Sequence, residues 1–407
     1  MGRLVRERSI DASGFESSRF LVKWLLLGTA IGIVAGLGAV VFTHAIHWVT
    51  EFALGDIVGY LPPAPVGEGS PIQNTLTRPW LLPLVVGAGG LLSGLIVYRW
   101  APEARGHGTD AAIEAIHHKR GILRGRVAPI KLITSAITIG TGGSAGREGP
   151  AAQISATFGS VISQRLGLSA ADRRIAVAAG MGAGIGAIFR APLGGAVMAA
   201  EILYIHDLEV EALIPSLIAS IVGYSVYGAI EGWEPIFGAQ PDIGFERPLS
   251  LVYYVGLGVI CGLVGLLYAR FFYGTEHVFE RLRMPVWLKP ALGGMLVGLM
   301  GIWIHGAIGT GYGWVQISMT PELLTLPLWI VLVLPFAKSL ATSLSIGSGG
   351  SGGIFGPGMV IGGMLGASVW RLCHGWAPQL PSSPAPFVIV GMMALFGGVA
   401  HAPLAVM

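Results

Sequence analysis

The sequence predicts an all-α, polytopic transmembrane protein. Three observations carry this. Of 407 residues, 53% are hydrophobic and 12% are charged, about half the charge of an ordinary soluble domain. Apolar runs recur along the whole chain, many near the roughly 20 residues that a membrane helix needs. There are 63 glycines, about twice the usual share, and they keep no three-residue period. A soluble enzyme, a disordered chain and a collagen are thereby excluded. The net charge of +3 is too small to recruit nucleic acid. Cys261 and Cys373 make neither a disulfide framework nor a thiolate metal site. His44 and His47 have helical spacing but no carboxylate or cysteine partner, so no metal and no cofactor is expected.

The first span reads from Phe20 to Val49, longer than a bilayer requires and therefore tilted. It is too long for a signal-peptide core and has no convincing cleavage site, so it belongs to the mature chain. Further spans read near Trp80–Trp100, Val127–Ile139, Ala151–Gln164, Ile175–Phe189, Leu193–Tyr204 and Ala212–Ala229. A second series reads near Leu249–Phe272, Trp287–Ile304, Leu326–Leu340, Gly358–Leu372 and Phe387–Val399. Several are too short to cross alone. Re-entrant or broken helices are expected, which a membrane tolerates only where protein encloses them. Basic residues cluster at the N-terminus (Arg3, Arg6, Arg8, Arg19) and over 99–126, which places both stretches in the cytoplasm. The loop 56–78 and the acidic loop 231–246 read as external. Trp80, Trp100, Trp287 and Trp303 suit interfacial belts.

The chain is duplicated. Gly140–Pro150 aligns with Gly347–Pro357 at an offset of 207, with seven of eleven positions identical. Lys131 falls on Lys338 at the same offset. Gly180-Met181 and Ala191-Pro192-Leu193 match Gly391-Met392 and Ala402-Pro403-Leu404 at an offset of 211. Upstream, Gly106-His-Gly108 matches Gly311-Tyr-Gly313. The organisation expected is a cytoplasmic segment 1–19, a first membrane repeat 20–230, an external linker 231–248 and a second repeat 249–407. Met407 falls opposite Ala196, so the second repeat is expected to continue in a longer protein. Transport proteins built from repeats place their sites where paired, interrupted helices meet.

Pro150 and Pro357 mark helix starts, because proline is favoured in a first turn. A helix start offers free N–H groups and partial positive charge, so it holds anions. Gly106-His-Gly108 before Thr109–His118 is a third start of this kind. Three such ends aimed at one point would hold a small anion weakly enough for rapid passage. Glu148 is the most informative residue. A carboxylate inside a membrane is expensive and functional by default. At a helix start it is itself an anion in an anion site, able to leave when protonated. A local pair with Arg147 is the plain alternative, though adjacent helical residues diverge.

These residues resemble the CLC family of chloride channels and proton-coupled chloride antiporters. The resemblance rests on Gly106-His-Gly108, Gly146-Arg-Glu-Gly-Pro150 and Gly353-Ile-Phe-Gly-Pro357, and spans about Phe20 to Met407. It implies a duplicated inverted-repeat architecture and a homodimer in the lipid bilayer, one anion pathway per subunit. It implies that Glu148 is the external gate, and that His107, Gly108, Arg147, Glu148, Gly149, Ile354, Phe355 and Gly356 surround chloride or a similar small anion. His107 stands where many members have serine, which opens the selectivity. An imidazole can donate to an anion, and a purely structural role is the alternative. Ile202 stands at the usual inner-glutamate place beside Glu201, the remaining candidate for a proton pathway. This favours a passive, glutamate-gated channel over proton-coupled exchange of chloride, fluoride or nitrate. The family's coordinating tyrosine would lie beyond Met407. A remote alternative is an intramembrane serine protease of the rhomboid kind, from Gly143-Ser144-Ala145-Gly146 with a histidine such as His305 as base.

Overall fold

A computed structural model describes residues 18–69, 75–204, 207–238 and 248–407. The segment 1–17, half of the linker 231–248 (residues 239–247), residues 205–206 and part of the loop 56–78 lie outside the described residues. Among the described residues the regular structure is helical, with no strands. We number the helices α1 (Ser18–Thr50), α2 (Leu82–Trp100), α3 (Thr109–His118), α4 (Val127–Gly140) and α5 (Glu148–Arg165). Then follow α6 (Ala170–Ile188), α7 (Pro192–Glu201), α8 (Val210–Glu231), α9 (Ser250–Arg281) and α10 (Lys289–Gly301). The last are α11 (Tyr312–Ser318), α12 (Leu328–Gly347), α13 (Phe355–Cys373), α14 (Ala385–Ala400) and the short α15 (Pro403–Val406).

Every expected span has a helix over it. Among the described residues, five helical stretches are long and apolar enough to cross a membrane: Ser18–Val58, Pro79–Trp100, Val210–Glu231, Ser250–Arg281 and Leu328–Gly347. The others are shorter or less apolar, as broken and re-entrant helices must be. The duplication is visible in the helix ends. Helix α4 ends at Gly140 and α12 at Gly347, 207 residues later. Helix α5 begins at Glu148 and α13 at Phe355, again 207 later. Both starts lie two residues before their proline, which therefore sits in the first turn, where its missing N–H breaks no helical bond.

Glycine lets these helices touch backbone to backbone. A Cβ on Gly32 would lie 2.5 Å from the Ala219 carbonyl oxygen, and one on Gly36 would lie 2.6 Å from that of Gly223. These pairs dock α1 on α8. Gly362 of α13 and Gly391 of α14 approach equally closely, a hypothetical Cβ on either meeting the other's carbonyl oxygen at 2.2 Å. Without a hydrophobic driving force between helices in lipid, such close approach is what associates them.

The start of α1 and the basic 99–126 segment share one face. Lys23 pairs with Asp172 at 2.5 Å, and the neighbouring Arg173 donates to the Arg120 carbonyl at 3.2 Å. The start of α1 and the 99–126 segment therefore lie together. The end of α1, with Asp56–Gly69, lies on the opposite face. Trp80, Trp100, Trp287 and Trp303 are all exposed, as an aromatic belt requires.

Candidate functional site

The two glycine-rich segments cross at the centre of the molecule. Gly146 and Gly353, equivalent positions of the two repeats, form a reciprocal backbone pair with N···O distances of 2.8 and 2.7 Å. A residue that pairs with its own counterpart sits on the pseudo-two-fold axis of the duplication. The surrounding contacts obey the same symmetry. Ser351 Oγ lies 3.0 Å from Ser135 Oγ, and its counterpart Ser144 Oγ lies 2.9 Å from Thr342 Oγ1. Lys131 donates to the carbonyls of Ala104 and Gly106 at 3.0 and 2.7 Å. Lys338 donates to the carbonyls of Ala307, Ile308 and Gly309, the last at 2.7 Å. Each buried ammonium thus fixes the loop that leads into the short helix of its own repeat, α3 or α11. Unpaired carbonyls here would cost about 1–3 kcal/mol each.

Glu148 is fully buried at the first position of α5. Its Oε2 accepts the Gly356 N–H, at the start of α13, at 3.1 Å. Its Oε1 accepts the Tyr312 hydroxyl. The carboxylate therefore lies across the axis, in the helix start of the opposite repeat. Glycine is required on both sides. A Cβ on Gly146 would lie 2.3 Å from Oε2, and one on Gly356 would lie 2.8 Å from it. Gly108 and Gly149 bring the third helix start alongside: a Cβ on Gly149 would lie 2.1 Å from the His107 carbonyl oxygen. Gly108 itself, at φ +97°, turns the chain into α3.

The remaining expected residues fall around this point. Ile354 caps α13, and its carbonyl accepts the Tyr268 hydroxyl at 3.3 Å. It packs where three core clusters meet. Phe355 is buried with its ring 5.4 Å from that of Phe396. His107 has both ring nitrogens engaged within its own segment, Nδ1 with Thr109 at 2.9 Å and Nε2 with Asp110 at 2.7 Å. It faces a cavity of about 1050 Å³ on the α1-start face. Glu201 is buried, and its carboxylate accepts the N–H groups of Leu404 and Ala405 at 3.0 and 2.9 Å. Ile202, next to it, is an apolar contact of the core.

Two alternatives to the favoured reading of the sequence find no support. Arg147 does not pair with its neighbour Glu148. Its guanidinium bonds Glu68 from the distant loop and lies 5.7 Å from the centre of the Tyr312 ring. The protease reading also fails. Ser144 is buried and bonded to Thr342, while the His305 ring packs against Tyr60. Two residues were not singled out from the sequence, Tyr312 and Glu68. Tyr312 was legible as the counterpart of His107 in the repeat. Glu68 had no signal. Among the described residues, no cluster of three or more His, Cys, Asp or Glu could hold a metal ion.

Chemically, the centre is a cradle of N–H and O–H donors with no cation in direct contact with its occupant. The occupant is a carboxylate on one bond-rotatable arm. A small anion presents the same charge and the same acceptor character, so it can take the carboxylate's place.

The comparison with known proteins bears on this geometry. A family profile described as voltage gated chloride channel matches residues 89–407. The chain belongs to that family. Relatives extend the match over nearly the whole chain. The ClcB-like protein of Ralstonia nicotianae is 32% identical, covering 93% of this chain and 86% of its own. The H(+)/Cl(-) exchange transporter ClcA of Yersinia pseudotuberculosis is 30% identical, covering 93% and 78%. A slow cyanobacterial Cl-/H+ antiporter superposes with a TM-score of 0.78 at 24% identity, over 96% of this chain and 88% of that one. A CLC-type fluoride/proton antiporter superposes at 0.79 and 20% identity, over 96% and 90%. This CLC protein is thus an integral membrane protein of anion transport and not an enzyme.

Proposed function

We propose that the protein moves chloride or a similar small anion through one pathway per subunit of a homodimer, with Glu148 as its gate. A single observation carries the gate: the carboxylate lies in the donor cradle where an anion would bind, held by Gly356 N–H and the Tyr312 hydroxyl. Ionised, it excludes the anion by occupying the site. Protonated, it loses the charge that holds it there and swings away. Backbone at Arg147–Gly149, Gly108 and Ile354–Gly356 lines the path, with His107 at its inner end. The face where α1 begins is cytoplasmic, because the basic 99–126 segment lies on it.

We further infer passive conduction. Ile202 carries no proton, and the Glu201 carboxylate is committed to two backbone N–H groups of the second repeat. A second reading, exchange of anion for protons, is favoured by the relatives named as H(+)/Cl(-) exchange transporters. Anion efflux and proton uptake recorded together from liposomes decide between them. Efflux without anion-driven proton uptake is expected; a fixed proton-to-anion ratio would overturn conduction in favour of exchange. For the gate, acid should accelerate efflux, and Glu148→Gln should be fast and insensitive to pH. A pH response that survives in Glu148→Gln would remove the gate from this residue.

A further inference from the structure

The segment from Leu61 to Gly69 is a strap across the α1-end face of the pathway. Pro62, Pro63 and Pro65 lack N–H groups, so little backbone hydrogen bonding anchors it. Among the described residues, its backbone bonds to the rest of the protein are Gly67 N–H to the Ile236 carbonyl at 2.9 Å and Val66 N–H to Gln316 Oε1 at 3.4 Å. It nevertheless sits hard on the site: a Cβ on Gly313, at the start of α11, would lie 1.9 Å from the Pro63 carbonyl oxygen. That helix start is the one that presents Tyr312 to Glu148. At the end of the strap, Glu68 bonds Arg147, with side chains only 9% and 5% exposed.

Arg147 is the residue before the gate, and it is the one full cation at this mouth that the described structure buries. Its Nε is buried with no hydrogen-bond partner among the described residues. Beside it opens a cavity of about 540 Å³, lined by His47, Thr50, Pro63, Glu68, Arg147 and Thr310 among others. A buried guanidinium with a free donor, next to a solvent-sized cavity, is built to hold more than the one carboxylate it now carries. Removing Glu68 alone would strand a buried charge. An incoming anion that replaces it leaves the charge balance intact.

We propose that Glu68 is a second tethered carboxylate, which closes the outer mouth by occupying Arg147 and is displaced there by the arriving anion. The pathway then has two pendant carboxylates in series, Glu68 outside and Glu148 at the centre. The adjoining cavity, lined by both Glu68 and Arg147, gives the Glu68 side chain room to leave. This rests on the reading of Glu148 as the gate, and the test separates the two.

The full chain is reconstituted in liposomes, and initial efflux is measured against chloride concentration. Chloride binding to the same protein in detergent is measured by titration calorimetry. Glu68→Gln keeps the shape and removes the competing charge. It should lower the half-saturating chloride concentration about tenfold, the usual size of coupling between linked ligands, and tighten binding in parallel. Glu68→Asp keeps the charge on a shorter arm and should lower it about threefold, which retains a readout if the glutamine variant fails to fold. Unchanged chloride dependence in both variants overturns the proposal. So does weaker binding, which would make Glu68 a mere support for Arg147. Glu148→Gln is run alongside: if it alone is silent, the central gate falls and the outer carboxylate stands.

Discussion

Tyr312→Phe removes one hydroxyl, and the hydroxyl has one described partner, the Glu148 carboxylate. The ring keeps its place beside Phe237 at 5.8 Å and beneath the Arg147 guanidinium, so packing is preserved. A hydrogen bond to a charged group contributes about 1.5–3 kcal/mol. Lost from the closed state only, that shifts the closed-to-open ratio between about tenfold and about a hundredfold toward open. Chloride efflux from liposomes at neutral pH should rise by up to that factor, until permeation through the open pathway limits it. The decisive comparison is a double-mutant cycle. In the Glu148→Gln background, Tyr312→Phe should change efflux by less than about twofold, since the carboxylate it restrains is gone. An equal acceleration in both backgrounds would refute the reasoning, because Tyr312 would then act on the pathway directly and not through the gate.

Other outcomes follow from the same geometry. Gly356→Ala would place a methyl 2.8 Å from Glu148 Oε2, so the carboxylate cannot keep its seat; efflux should lose its pH dependence while the protein still elutes as one folded species. Lys131→Met and Lys338→Met each strand at least two loop carbonyls, and should lower stability by about 2–5 kcal/mol, read as thermal melting of the purified protein. The two losses should be alike, because the ammonium groups hold equivalent loops. Ser144→Ala removes a bond to Thr342 worth about 1 kcal/mol and should leave anion flux intact, which efflux on the variant checks.

The fold was largely written in local pattern. Apolar runs marked each span, and the offset of 207 located the paired helix starts before any geometry was known. Helix α11 escaped because seven residues hold too few turns to show a period against flanking glycines. At the site, Glu148 was legible because a carboxylate after glycine and before a helix proline has few other reasons to lie in a membrane. Its donors were less so. Tyr312 stood in the repeat as the partner of His107, but its bond spans 164 residues and depends on how α11 meets α5. Glu68 was invisible for a related reason: a glutamate in a proline-rich loop reads as solvated, and only the folded strap carries it 79 residues to Arg147. His107 has the chemistry of an anion donor, but the Thr109 and Asp110 side chains engage both its nitrogens, a local competition that spacing alone does not rank.

The reciprocal pairing of Gly146 with Gly353 has a further consequence. A site on the axis of a duplicated chain is single, however many copies built it. Two identical halves would have to meet there with two opposed carboxylates or with none. Here the counterpart of Glu148 is Phe355, so the two halves carry one carboxylate between them, seated on the Gly356 N–H. If Glu148 gates as proposed, one half supplies the plug and the other the socket in a single pathway.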